Sequence, residues 1–253
     1  MTIVPVLLYH AVTKHPPAGL ERYTVHPARF AEHLSCLRDF GRAGLTVPEF
    51  AASLKGQARL PARPVLVTFD DGYADFLDAA ERLAAIGFPS TLYVTTGQLG
   101  AAGTLTRGQL RSLCGTVEVG AHSRSHPRLD ELPADRLRDE VHGSKADLEE
   151  VLQRPARSFA YPHGDHDRRV RQVVMEAGFG SAAAVKNAFS HDRDDPFAIA
   201  RITVTAGTTA ERIGDLLQGR GAPAAWTRER RRTRAYRSYR RVRRRLRRET
   251  RRP

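Results

Sequence analysis

Residues 64–72 read PVLVTFDDG. The apolar, β-rich run reads as a strand. It ends on two adjacent acids, Asp70 and Asp71. Neighbouring carboxylates repel each other, so folding alone does not favour the pair. A metal ion is the simplest group that would offset the repulsion. Some fifty positions later, AHSRSHP at 121–127 sets His122 and His126 four apart. A single turn or loop can bring both imidazoles to one ion. With Asp71 as an oxygen ligand they form a two-His, one-carboxylate set. Such a set leaves positions open for water and substrate, as catalytic rather than structural sites do. Zinc is the first choice for these ligands, and cobalt, nickel, manganese or iron would accept them. The competing reading makes the histidines ordinary loop residues and the Asp pair a cap for a helix over 73–87.

Working outward, apolar runs alternate with amphipathic stretches. The runs are IVPVLLYH, PVLVTFDDG, STLYVTTG, VEVGAHS, SFAYPHG, SAAAV and FAIARITV. Between them lie PARFAEHLSCLRDFG, YADFLDAAERLAAIG, PADRLRDEVHGSKADLEEVLQ and DRRVRQVVMEAGFG, three of which end in Gly as a helix stop should. This alternation predicts an α/β fold with a parallel sheet, open or closed into a barrel. In such folds the C-terminal ends of the strands share one face, where sites collect. His10, Asp70, Asp71, His122 and His163 all fall at or just after strand ends, so they are expected to converge.

The 253 residues suffice for one large domain, and 41% hydrophobic content allows a sizeable core. Cys36 and Cys114 fit neither a zinc motif nor a disulfide framework and are read as buried thiols. The start, MTIVPVLLYH, lacks the basic residues and the cleavage site of an export signal. No stretch is long and apolar enough to span a bilayer. The expectation is a soluble, cytoplasmic protein, with peripheral attachment to the inner membrane face as an option.

The net charge of +13 is localised: residues 228–253 hold 15 Arg and 2 Glu, and the rest of the chain is balanced. Residues 1–225 are therefore read as one catalytic domain and 226–253 as an Arg-rich tail. Ala235, Tyr239, Val242 and Leu246 give the tail a thin apolar stripe at helical spacing. Three readings stay open for it: a solvated tail, an amphipathic helix on an anionic membrane, or a contact to a polyanion such as nucleic acid. The stripe favours the membrane.

TFDDG at 68–72 and HSRSHP at 122–127 resemble the two signature motifs of the polysaccharide deacetylases, the NodB-homology domain of carbohydrate esterase family four. SFAYPHG at 158–164 is similar to the third motif, and the resemblance spans about residues 3–205. It implies a distorted (β/α) barrel and a metal-dependent hydrolase that removes N-acetyl groups from an amino-sugar polymer or oligosaccharide. It also implies Asp70 as general base and Asp71, His122 and His126 as metal ligands. A backbone N–H near His163 would serve the oxyanion. The late Leu-x-x-His-like motif that often supplies the acid is missing after residue 200. The LLYH at 7–10 instead resembles the circularly permuted poly-N-acetylglucosamine deacetylase branch, which makes His10 the candidate acid. Two departures stand out. Ala160 occupies the place of the usual third-motif Arg, for which Arg201 of IARITV is the candidate substitute, and His163 stands where Tyr or Trp is more usual. Tyr161 and Tyr9 are read as possible stacking partners of a sugar ring. A glycan-binding module without catalysis, and a polyanion-binding protein acting through its tail, are the readings from other functional classes.

Overall fold

The computed structural model describes residues 1–113, 115, 117–226 and 239. All seven apolar runs form strands: β1 (Val6–Tyr9), β2 (Pro64–Phe69), β3 (Ser90–Val94), β4 (Val117–Ala121), β5 (Ser158–Ala160), β6 (Ser181–Val185) and β7 (Ile199–Thr203). They pair in parallel in the order β1-β7-β6-β5-β4-β3-β2, and β2 pairs back onto β1. The sheet therefore closes into a barrel, and closure leaves these strands no free edge. It also sets the first strand between the second and the last, in the registers Tyr9 with Phe69 and Leu8 with Thr203.

The helices are α1 (Pro27–Asp39), α2 (Val47–Leu54), α3 (Phe76–Ala85), α4 (Arg107–Ser112), α5 (Ala134–Arg138), α6 (Ser144–Leu152), α7 (Arg168–Glu176) and α8 (Ala210–Leu217), all but α2 on the outside. The amphipathic pattern foresees α1, α3, α5, α6 and α7. It misses α2, α4 and α8. The capping boxes Thr46–Glu49 and Thr106–Gln109 are the local signals that mark two of them.

Two apolar layers follow from the period of two along a strand. Outward residues such as Val65, Val67, Phe69, Leu92, Val119 and Phe159 pack under the helices. Inward residues such as Leu66, Tyr93, Ala160, Ala183 and Ile199 fill the barrel, joined by Val47, Phe50 and Ala51 of α2, which plugs its lower end.

The Asp pair does not cap the following helix. That helix begins at Phe76, and its N-cap residue, Asp75, makes no side-chain cap bond. Cys36 is part-buried rather than buried, with Sγ 3.5 Å from the Ala210 carbonyl. Cys114 and the Arg-rich segment at 227–238 and 240–253 lie outside the described residues. Among the described residues, no helix is long and apolar enough to cross a membrane.

Candidate metal and catalytic site

The inward face of β2 runs Leu66, Thr68, Asp70, and that of β4 runs Glu118, Gly120, His122. Alternation thus delivers a carboxylate and an imidazole to the upper mouth of the barrel. Asp70 is buried at 3% exposure and Arg201 of β7 at 0%. The Arg201 guanidinium donates two bonds to Asp70, at 2.6 Å to Oδ1 and 2.8 Å to Oδ2. It also donates to the Ala184 carbonyl at 3.3 Å and lies 5.3 Å from the centre of the Tyr93 ring. Arg201 therefore reaches the carboxylate from the last strand, while Ala160 occupies the third-motif place.

Burial alone would raise the pKa of Asp70, but the Arg201 charge and then His122 more than offset it, holding the group at about 2. The acid next to it goes the other way. Burial, followed by repulsion from Asp70, pushes Asp71 up to about 6. Asp71 leaves the strand in a left-handed turn at φ 75°. The uncompensated negative charge of the pair therefore sits on Asp71, where a cation would remove it.

His122 and His126 face that carboxylate. Asp71 Oδ1 lies 3.6 Å from His122 Nε2 and 3.5 Å from His126 Nε2. These separations are too long for hydrogen bonds. They match two ligands held about 2.0–2.2 Å from a tetrahedral ion, which stand roughly 3.3–3.6 Å apart. The ligand atoms of Asp71, His122 and His126 all lie within 4.8 Å of one another. His122 Nδ1 donates to the Ala160 carbonyl at 2.8 Å, which leaves the Nε2 lone pair aimed at the cluster. Burial lowers the pKa of His122 to about 3 and lowers that of His126 as well, so both rings are the neutral species that metals bind. On the chemistry of its donors and their spacing, the site fits a divalent cation such as zinc.

His10 follows β1 and adjoins Asp70 through the β1–β2 register, with Asp70 N–H donating to the Tyr9 carbonyl at 3.1 Å. Its ring packs 5.1 Å from that of Tyr23, and its Nδ1 is enclosed without a hydrogen-bond partner among the described residues. His163 is exposed at the rim, at φ 59°, its ring 4.5 Å from that of His126. Tyr161 is placed differently from a stacking wall: it is fully buried, and its hydroxyl donates to the Phe197 carbonyl at 3.0 Å. Tyr9 is likewise enclosed, with its hydroxyl 3.0 Å from His33 Nδ1. Sequence reasoning missed Tyr73, whose side chain hydrogen-bonds Asp71, and Tyr23 beside His10. Tyr73 directly follows TFDDG, two residues after Asp71, and that adjacency is the signal that could have found it; Tyr23 lies in no recognisable pattern, and only the folded loop brings it to His10.

The polysaccharide deacetylase family model matches residues 57–182, a span that contains TFDDG, HSRSHP and SFAYPHG. The chain belongs to the polysaccharide deacetylase family. His10 and Arg201 lie outside the matched span, on β1's end and on β7. YxkH of Bacillus subtilis (strain 168) is 22% identical over 217 residues, covering 85% of this chain and 76% of that protein. The deacetylase PplD of Streptococcus pyogenes, solved in complex with acetate, superposes with a TM-score of 0.78 at 24% identity, over 86% of this chain and 97% of that one. IcaB from Ammonifex degensii gives 0.75 at 26% identity, over 86% and 98%. These likenesses agree with the closed (β/α) barrel.

Proposed function

We propose that this deacetylase hydrolyses the acetamido groups of an N-acetylated amino-sugar polymer or oligosaccharide and depends on a divalent metal, zinc first. The observation that carries the reading is the convergence of Asp71, His122 and His126 beside the Arg201-bound carboxylate of Asp70. Similarity to PplD, a deacetylase solved with acetate, supports it.

Asp71, His122 and His126 hold the metal. When bound, it acidifies water and polarises the amide carbonyl. Asp70 takes the proton of the attacking water. Its ionised state is kept by Arg201, whose two bonds also fix the carboxylate's orientation. The backbone N–H of His163 stabilises the oxyanion. His10 donates a proton to the departing amine as the C–N bond breaks, and an enclosed Nδ1 with no partner among the described residues suits a ring kept for substrate. Water has then been added across the amide, giving acetate and a free amine. The Arg-rich residues 228–253 serve as a contact to an anionic membrane surface or another polyanion. Vesicle flotation of the full and truncated chains tests that role, and equal flotation would remove it.

The deciding experiment measures acetate released from N-acetylglucosamine oligomers by zinc-loaded protein. Release by the wild type, lost in His126→Ala together with bound zinc, is the expected result. Zinc bound with no acetate released from any N-acetylated glycan would overturn the assignment.

A further inference from the structure

The loop that carries both histidines is held by a buried carboxylate to which the reaction gives no role. Glu140 is 2% exposed. Its Oε2 accepts the backbone N–H of Arg124 at 2.9 Å and that of Ser125 at 2.9 Å, and its Oε1 accepts the Ser125 hydroxyl. Successive N–H groups pointing into one concavity form an anion nest. Here the chain fills the nest with its own side chain.

The helix that supplies Glu140 is wound to do so. Residues Asp139–Gly143 form a π-helical turn between α5 and α6. Such insertions gather at functional sites because the wider turn re-aims side chains. Asp139 and Glu140, adjacent in sequence, both reach the loop: Asp139 accepts from Arg124 Nη1 at 2.8 Å. Asp147, further along the helix, takes the other side of the same guanidinium at 2.8 Å and 2.8 Å. Gly143 lies flat against it, since a Cβ there would stand 2.5 Å from Arg124 Nε.

The grip opposes strain. Ser123 and His126 both adopt left-handed backbone, at φ 62° and 59°. Such backbone is unfavourable for residues other than glycine and persists only where its surroundings hold it. The turn between the two histidines would otherwise relax, and Nε2 of His126 would leave the position 3.5 Å from Asp71.

We propose that Glu140 is a positioning residue for the metal: it holds the 122–126 turn in the strained form that brings His122 and His126 to one ion. This rests on the metal-dependent reading above. The test titrates the metal-free full chain with Co2+, following affinity by calorimetry and coordination by the visible absorption band. Glu140→Gln keeps the size of the side chain but has one acceptor oxygen for three donors. It should bind Co2+ about 10–100-fold more weakly, the usual effect of losing a ligand-orienting partner, with a changed band. Ser125→Ala, which removes one of the three bonds, should show a smaller loss. Phe50→Ala, destabilised in the plug helix far from the loop, should keep wild-type affinity and band. Wild-type affinity and band in Glu140→Gln would overturn the proposal. If that variant does not fold, unchanged binding in Ser125→Ala overturns it instead. A wild type that binds no Co2+ would sink the metal reading, and this inference with it.

Discussion

The two ends of the barrel use the same inward-facing register for opposite purposes. At the lower end, Val4, Val6 and Leu66 meet Val47, Phe50 and Ala51 of α2. At the upper end, the same face continues into Asp70, His122 and Arg201, with Asp71 and His126 turned in beside them. The lower end is stabilised by removing apolar area from water, which is insensitive to orientation. The upper end depends on direction: each charge must find a partner, and four of its residues (Asp71, Ser123, His126 and His163) hold left-handed backbone. Variants at the lower end should therefore change stability and leave chemistry intact, while variants at the upper end change chemistry first.

The largest expected effect breaks the upper end. Asp70→Asn should lower acetate release by about 10^2–10^4-fold, the worth of a placed acid–base group, with metal content unchanged. A loss under tenfold would move the base elsewhere. Arg201→Met leaves the Asp70 carboxylate buried without its partner. It should cost about 3–5 kcal/mol in denaturant unfolding, so here chemistry and stability fail together; a smaller loss would mean that water replaces the guanidinium. At the other end, Phe50→Ala should also lower stability by about 3–5 kcal/mol, while the activity of the remaining folded protein holds at the wild-type level. A fall in that activity would break the contrast between the ends.

Two smaller effects sharpen the boundary between the ends. At Gly120 a Cβ would stand 2.4 Å from Ser158 Oγ and 2.7 Å from the Tyr93 ring. Gly120→Ala should destabilise by about 1–3 kcal/mol through overpacking, and through Tyr93 disturb the floor under Arg201. Below it, Glu118 accepts from Ser158 Oγ at 2.9 Å, and burial pushes its pKa from an ordinary 4.5 up to about 7. The folded state thus holds this proton more tightly than the unfolded chain. Its stabilising share is complete below pH 4.5 and is lost as pH rises through about 7. Thermal melts from pH 4 to 8 should fall less steeply for Glu118→Gln than for the wild type; parallel curves would show that Glu118 is solvated.

Much of this was legible in the sequence because the two main signals are local. Seven short apolar runs specify seven strands, and the alternation with helices specifies parallel pairing. Strand ends then locate Asp70, His122 and His163 on one face. What could not be read depends on how the elements pack once the barrel is closed. The sequence offers Arg201 as a candidate for orienting Asp70, but the bond joins residues 131 apart, and it is closure of the barrel, which makes the last strand a near neighbour of the second, that decides it. Tyr161 shows the reverse: its strand-end position suggests a sugar contact, yet its side chain falls on the outward face under the helices. Glu140 was hidden in a helical stretch, because a π-turn is set by packing rather than by propensity.

By itself, the sequence determined the (β/α) class, the concentration of positive charge in residues 228–253, and the residue types that gather at the strand ends. Those properties follow from spacing and composition, which need no knowledge of the partner strand. The tertiary structure decided that Arg201 serves Asp70, that Asp71 rather than Asp70 carries the unpaired charge, and which carboxylate fixes the histidine turn. Each of these depends on which groups meet in a low-dielectric interior, and burial and neighbouring charge exist only once the chain has closed on itself.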